Sequence, residues 1–508
     1  MLTVGEIKHK LKQANALHLE HQEASAIELL KEVLPYQSDN AHIYAAIGEC
    51  YVNIREAVEG LPWLKKALAL DNSLKACHIR IADAYNLMHK RVKALEYLKQ
   101  CAGTFKGDPL ECQWWLAKAD VYKMMRFYER SEACYQEAFK RIDDKDKAWK
   151  AQLCGSYAGM LELQGRHDDA TRYFELAYVT HPTYVLGSNL AMHYLTVGNW
   201  EWGWRLYEIR LQGNKVRGLG NKPCAGLEDR IEGPLYFYQE GGLGDLVQMA
   251  RYIPLFKDVS PELVMVVDPR LMEVARMMKL GNVKIIDGDH TGEHEAELPM
   301  LSLPLRSDRL RPEDAPPPVK MKVKPIKRTF PNVLINWFGE KFFTHDDMRS
   351  MKLADFAPLV RQHPEINWFC VNIGERVGKE IASTKLPIMH YPGDLKTAIQ
   401  RIAGCDAMVT TDTGLAHVAG TLGKPVLMVL GEYSDWRWEL KGDHTAWYPS
   451  IKLYRCNGGA KMEDILTQID EDLSKTLKDV KYEADNRRKK SNAKVRVRAS
   501  GQESIPNA

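Results

Sequence analysis

The sequence predicts a chain of two fold classes, an N-terminal α-solenoid followed by a pair of doubly wound α/β domains. Two observations carry this. Small and aromatic residues recur at a 34-residue spacing within the first 210 residues, and beyond about residue 233 short apolar runs alternate with helix-length stretches. The first pattern marks stacked helical hairpins, each of which can bury its apolar face only against its neighbours. The second marks βαβ units feeding a parallel sheet. With 508 residues, 45% of them hydrophobic, the chain can bury several cores, and disorder along its whole length is excluded.

Tyr44, Gly48, Tyr51, Leu64 and Ala67 align with His78, Ala82, Tyr85, Leu98 and Cys101, each pair 34 residues apart. A third copy, Trp115, Ala119, Tyr122, Tyr135 and Ala138, is displaced by 37, and a fourth carries Ala170, Phe174, Ala177 and Pro182. This is the spacing of a tetratricopeptide repeat (TPR) array, in which the small residues let two helices approach closely and the aromatics fill the gaps between pairs. A helical pair is expected before Tyr44, with Ala16, Ala24, Ala26 and Leu30 on its buried faces. An atypical last unit ends near Arg210, so the repeats are assigned residues 1–212.

Residues 213–232 are rich in Gly and polar residues and read as a connection. A first Rossmann-like domain then occupies 233–310, with strands at 235–239, 263–268 and 283–287. The proline-rich 311–331 reads as a linker. A second such domain, 332–457, has strands at 333–338, 367–373, 407–412 and 425–430 and helices near 353–362, 394–404 and 414–422. A helix over 458–482 is expected to pack back across the cleft, and 483–508 to be a disordered basic tail. Ligands of open α/β sheets bind in the cleft at the carboxyl ends of the strands.

Four stretches there carry chemistry. In QEGGLGDLVQ (239–248), Gly241, Gly242 and Gly244 permit a tight strand-to-helix turn, and Asp245 falls in the first helical turn. An acid in that place also complements the helix dipole, worth about 0.3–1 kcal/mol. The same glycines resemble a dinucleotide fingerprint, with Asp268 ending the next strand, but Val247 stands where the third glycine belongs. In VTTDTGLAHVAG (409–420), a strand ends at Asp412, Thr413 is a good N-cap, and Gly414, Leu415 and Ala416 offer unpaired N–H groups suited to a phosphate or diphosphate. His417 lies in the same turn, where a phosphate or ribose contact competes with an ordinary core hydrogen bond. In WFGEKFFTHDDMRS (337–350), Lys341 and Arg349 are candidate phosphate-neutralising cations. Trp436, Trp438, Trp447 and Tyr448 in the fourth stretch are expected to be packing aromatics.

Lys plus Arg is 70 and Asp plus Glu 67, a net charge of +3, but the segment from Ala484 onward carries +5 and the rest −2. Neither value points to nucleic acid, and the tail has no aromatics for base stacking. No apolar stretch reaches the roughly 18 residues of a membrane span, and the start lacks a signal core. The ten cysteines contain no C-x-x-C pair, so structural zinc is not expected and a reducing, cytoplasmic setting is.

The ordered set GGLGD, ARYIPL, LPMLSLP, NWFGE with MRS, TDTGLAHVAGTLGKPV and DWRWEL with WYPS, behind TPR repeats, resembles bacterial TPR proteins fused to a glycosyltransferase family 9-like domain, relatives of the heptosyltransferases. The resemblance implies a GT-B fold, a nucleotide-diphosphate sugar as co-substrate, a protein or glycan acceptor recruited through the concave face of the repeats, inversion at the anomeric carbon and no metal or cofactor. It further implies Asp245 as general base, Arg349, Asp412, Thr413, Gly414, Leu415 and His417 on the donor, and Gly242, Gly244 and Gln248 on the acceptor loop. Lys352 stands where many relatives have proline, and Gly-Glu-Lys at 339–341 replaces a common Gly-Asn-Pro. Two rival readings are a non-catalytic TPR scaffold with a degenerate sugar-nucleotide domain and a nicotinamide dehydrogenase.

Overall fold

The computed structural model describes residues 2–19, 22–213, 226–288, 296–327, 329–339, 346–431, 434–456 and 461–500. Its contacts divide the chain into two compact units, Met1–Leu186 and Gly187–Ala508.

The first unit is built of helical hairpins: α1 (Val4–Leu19) with α2 (Glu23–Val33), α3 (Ala41–Asn53) with α4 (Ala57–Leu70), α5 (Lys75–Leu87) with α6 (Arg91–Gln100). After a short α7 (Ala102–Phe105) come α8 (Glu111–Met124) with α9 (Tyr128–Phe139) and α10 (Lys147–Leu163) with α11 (His167–Thr180). The small residues sit where the spacing puts them. Ala67, Ala82, Ala119, Ala138, Ala170 and Ala177 have no exposed surface. A methyl group on Gly48 would lie 2.7 Å from Leu64 Cγ, so α3 and α4 approach too closely for a larger side chain. The 37-residue step is also explained, because α7 is an extra turn whose buried Phe105 stacks on Trp114 with centroids 6.5 Å apart. In the first hairpin, Ala26 and Leu30 are buried as expected, but Ala16 and Ala24 are exposed and Ile7, Ala14, Ile27 and Val33 fill the core instead. Alanine faces of a short helix are ambiguous, and the larger side chains decide which stripe turns inward.

The turns of the hairpins from α3 to α11 each hold one residue in the left-handed region: Arg55 (φ 65°), His89 (φ 57°), Arg126 (φ 64°) and Gly165 (φ 74°). Arg55 and His89 are again 34 apart, so the repeat extends to the backbone. Only the last of the four has the glycine that avoids the Cβ penalty.

Within the second unit, α12 (Tyr184–Thr196) and α13 (Trp200–Tyr207) form a final hairpin, followed by α14 (Arg210–Gly213). The boundary between the two compact units therefore falls inside α12, although the helical hairpins themselves continue through α13. The physical reason is that Leu195 and Trp204 are buried in the α/β core and the Trp204 indole Nε1 donates to Leu310 O at 2.8 Å. Residues 214–225, most of the expected 213–232 connection, lie outside the described residues.

Two all-parallel sheets follow. The first comprises β1 (Leu235–Tyr238), β2 (Leu263–Val267), β3 (Lys284–Asp287) and β4 (Ala296–Pro299), in the order β3-β2-β1-β4, with α15 (Leu243–Met249), α16 (Met272–Met277) and α17 (Leu303–Arg306) between or after its strands. The second comprises β5 (Asn332–Asn336), β6 (Asn367–Cys370), β7 (Met389–His390), β8 (Ala407–Thr411), β9 (Val426–Leu430) and β10 (Ile451–Arg455), in the order β10-β9-β8-β5-β6-β7. Its helices are α18 (Asp346–Arg349), α19 (Ala357–Gln362), α20 (Glu375–Thr384), α21 (Leu395–Gly404) and α22 (Gly414–Thr421). In both sheets the order reverses beside the first strand, which opens a crevice at the ends of β1 and β5. The sequence reading omits β4, β7 and β10. β4 reads Ala-Glu-Leu-Pro, whose acid and proline argue against a strand, yet as an edge strand it tolerates the proline.

The 311–331 segment is not a free linker throughout. Lys279 N donates to Lys320 O at 2.8 Å, and Ile326 N donates to Gln400 O at 2.9 Å, so it is pinned first to one α/β domain and then to the other. Alternate residues of β5, β8 and β9 serve two cores. Val333, Ile335, Val409, Leu427 and Val429 face one that α23 (Met462–Ser500) covers with Ile465, Leu466, Ile469 and Leu473. The last helix is thus packed, among its described residues, on the second sheet and not back across the cleft, and its helical backbone runs to Ser500 in place of a tail that is disordered from 483. Lys, Arg, Ala and Glu between 482 and 500 favour helix, and the first glycine comes at 501. Among the described residues no helix is long and apolar enough to cross a membrane.

Glu297 on β4 is fully buried opposite Tyr236, and neither carboxylate oxygen has a hydrogen-bond partner. Burial pushes its pKa up to about 7. A folded-state value above the unfolded one means that the folded state binds the extra proton between about 4.5 and 7, so the protonated acid's contribution is lost as pH rises through that window. Glu297→Gln is accordingly expected to remove on the order of 2–3 kcal/mol of the pH dependence of stability. Chemical denaturation at pH 5 and pH 8 checks this: the wild type weakens relative to the variant at pH 8, and parallel curves refute it.

Candidate active site

The glycine turn after β1 is built around Asp245. Gly241 has φ 67°, and a Cβ there would fall 2.1 Å from Asp245 Oδ2, so only glycine fits. Asp245, at the third position of α15, reaches back to accept a hydrogen bond from Gly242 N at 2.8 Å. This is the capping role that the position predicts, and it is not the only one. Asp245 Oδ1 also accepts from Arg437 Nη2 at 2.5 Å.

Arg437 is the residue that the sequence reading misses. It lies in the turn after β9, within WRW, where the tryptophans hide it as a packing segment. Its Nε donates to Gln248 Oε1 at 2.7 Å and its Nη1 to Asp435 Oδ1 at 2.8 Å, while its guanidinium lies 4.2 Å from the centroid of Trp436. Burial opposes the charge, but Asp435 and then Asp245 outweigh it, and the Arg437 pKa is raised. Gln248 is fully buried and its Nε2 has no partner. Gln248 is therefore an interior link between the two α/β domains in this arrangement, not an open acceptor loop residue.

The DTGLAH turn faces the glycine turn. A Cβ on Gly244 would lie 2.9 Å from His417 Cδ2, and one on Gly414 3.2 Å from Leu243 Cβ. Thr413 is the N-cap residue of α22 as expected, but its hydroxyl makes no cap bond and accepts instead from Asn336 Nδ2 at 2.9 Å. The cap is diverted into a buried Asn336–Thr410–Asn372 network, which leaves the half-exposed Gly414 and Leu415 at the helix start without a capping side chain. Asp412 is buried, and burial followed by the nearby Asp435 raises its pKa, against the pull of Arg349 and Arg437.

His417 is buried with Nδ1 3.0 Å from Tyr448 Oη. Burial, followed by the charges of Arg437, Arg251 and Arg349, pushes its pKa well below the usual histidine value, so it is a neutral imidazole. Three guanidiniums thus act on this buried histidine, where Arg349 and Lys341 were the expected cations of the site. Arg251, buried in the turn after α15, is another that the sequence did not single out; its Nη1 donates to Trp447 O at 3.1 Å, and its Nε to Gln248 O at 2.9 Å. Arg349 is held by Asp346, with Nε 3.4 Å from Oδ1, and a Cβ on Gly339 would meet its Nη2 at 2.6 Å. Lys341 lies outside the described residues.

The final repeat hairpin reaches the same place. Arg210 Nε and Nη2 grip Glu240 Oε1 and Oε2 at 3.0 and 2.8 Å, and Nη2 also reaches Ser302 Oγ at 2.9 Å. Glu240 immediately precedes Gly241, so α14 holds the entry to the Asp245 turn.

The packing of α18 makes a testable demand. A Cβ on Gly431, after β9, would fall 1.7 Å from Met348 O, next to Arg349. Gly431→Ala is expected to lower stability by about 1–3 kcal/mol through overpacking, whereas Gly378→Ala, with open space around it, does not. Urea unfolding of both variants checks this, and equal midpoints refute it.

Residues 391–462, from the end of β7 to the start of α23, match the profile of glycosyltransferase family 9 (heptosyltransferase). This stretch includes Asp412 to His417 and Arg437, but not Asp245, Arg251 or Arg349. Among solved structures, the chain is similar to E. coli ADP-heptose LPS heptosyltransferase II at 15% identity and a TM-score of 0.36, covering 48% of this chain and 98% of that one. It is also similar to a thermophilic TPR protein of Thermus thermophilus at 16% identity and a TM-score of 0.33, covering 37% and 99%. A comparison with curated proteins finds no match. Residues 391–462 of the chain thus resemble glycosyltransferase family 9 (heptosyltransferase), and an array of helical hairpins precedes the α/β domains.

Proposed function

We propose that the α/β unit is a glycosyltransferase that moves a sugar from a nucleotide-diphosphate donor to a protein or glycan acceptor, with the helical repeats recruiting the acceptor. The observation that carries this reading is the uncapped α22 start packed against the glycine turn, where Asp245 is bound by the Arg437 guanidinium. Guanidiniums and free helix N–H groups suit a diphosphate. A carboxylate opposite them suits the removal of a hydroxyl proton.

In the reaction, Asp245 takes the proton of the acceptor hydroxyl and the oxygen forms its bond to the anomeric carbon. The bond from that carbon to the diphosphate oxygen breaks on the opposite face, and its electron pair leaves with the diphosphate. Inversion follows. The developing charge is met by the N–H groups of the half-exposed Gly414 and Leu415 and by the guanidiniums, all held in place before the reaction. Neutral His417 adds no charge and fixes Tyr448 beside them. No metal or cofactor enters this scheme, and buried free thiols such as those of Cys77, Cys154 and Cys405 suit a cytoplasmic setting.

The ion pair between Arg437 and Asp245 favours a second reading, a sugar-nucleotide-binding scaffold, because Arg437 occupies the carboxylate oxygen that a base would need. A panel of radiolabelled ADP, UDP and GDP sugars separates the two. Slow hydrolysis or transfer supports the enzyme, and binding with no turnover supports the scaffold. Asp245→Asn is expected to lower any such turnover by at least about a hundredfold while nucleotide binding persists. Unchanged turnover in this variant refutes Asp245 as the base.

A further inference from the structure

We propose that the Arg437 guanidinium is shared between Asp245 and the donor's diphosphate, so that an arriving diphosphate draws Arg437 away and frees Asp245 Oδ1 to act. This rests on the donor-site reading above. Arg437 is then a positioning residue, and it delays the base until the donor is in place.

The two oxygens of Asp245 have different partners. Oδ2 is held by the Gly242 backbone, which fixes the carboxylate whether or not Arg437 is present, while Oδ1 is occupied by Arg437 Nη2. Arg437 is anchored independently, because Asp435 binds its Nη1 and accepts from its backbone N at 3.0 Å. Losing Asp245 therefore leaves the guanidinium tethered to its own turn. Its charge already acts on Asp412 and His417, on either side of the α22 start. A diphosphate there would carry more negative charge than one carboxylate, and would compete with Asp245 for the same cation.

Competition for one cation is reciprocal, so removing Asp245 must strengthen diphosphate binding by the factor that diphosphate weakens the ion pair. The probe is inorganic pyrophosphate, titrated calorimetrically into the full-length protein. Asp245→Asn is expected to bind it about tenfold more tightly than the wild type. A through-space loss of negative charge would also tighten binding, and the double variant distinguishes the two. In an Arg437→Gln background the same Asp245→Asn change is expected to alter Kd by less than about twofold. If Arg437→Gln does not fold, Arg437→Lys takes its place, and because its ammonium lacks the fork the tightening by Asp245→Asn is then expected to fall well below tenfold.

Equal tightening in both backgrounds overturns the proposal, as does unchanged or weaker binding in Asp245→Asn alone; in both cases the donor-site reading stands. Failure of every protein to bind pyrophosphate overturns the donor-site reading together with the proposal.

Discussion

A buried guanidinium must be surrounded by acceptors, and Arg437 meets this need with groups from both α/β domains. Asp435 comes from its own turn, while Asp245 and Gln248 come from the first turn and the body of α15. Removing one partner of such a cluster leaves uncompensated charge in a low-dielectric interior, so the cluster holds the two domains in register. Arg251 adds a second tie by donating to Trp447 O across the same boundary. With the domains so fixed, the starts of α15 and α22 lie face to face; a Cβ on Gly244 would collide with His417, and one on Gly414 would press on Leu243.

The helical repeats follow a simpler rule. Each hairpin needs a small residue where its helices touch and a left-handed residue where its chain turns, and these recur through the first unit. The last hairpin obeys the same rule, since a Cβ on Gly203 would fall 2.6 Å from Leu195 Cδ2 and Gly198 has φ 82°. Its outer face, however, is apolar and aromatic. Trp204 packs edge-on to Trp436 with centroids 5.1 Å apart, and Arg210 grips Glu240. A repeat that ends an array is usually capped by a polar face; this hairpin instead packs on the α/β core of its own unit.

Much of this was legible in the residues. Period 34 gave the hairpins, and apolar runs with glycine-led turns gave seven of the ten strands among the described residues and placed Asp245, Thr413, Gly414 and His417 at the helix starts that follow them. The parts that escaped share a cause. β4 carries an acid and a proline that only an edge position tolerates, and Ala16 and Ala24 lost the inward stripe to larger neighbours. Arg437 and Arg251 sit among tryptophans and aliphatics, where a cation looks like a surface residue until the interior around it is known.

The sequence by itself determined the periodicities, the turns and the chemical inventory, because these depend on local sterics and on spacing along one element. Only the tertiary structure decided how those groups are paired. Asp245 read as a cap or a base and turned out to cap α15 while bound to a guanidinium 192 residues away. Thr413 read as a cap and gave its hydroxyl to Asn336. Pairings of this kind depend on which strands lie side by side and on how deeply each charge is buried, and neither is written in the neighbours of a residue along the chain.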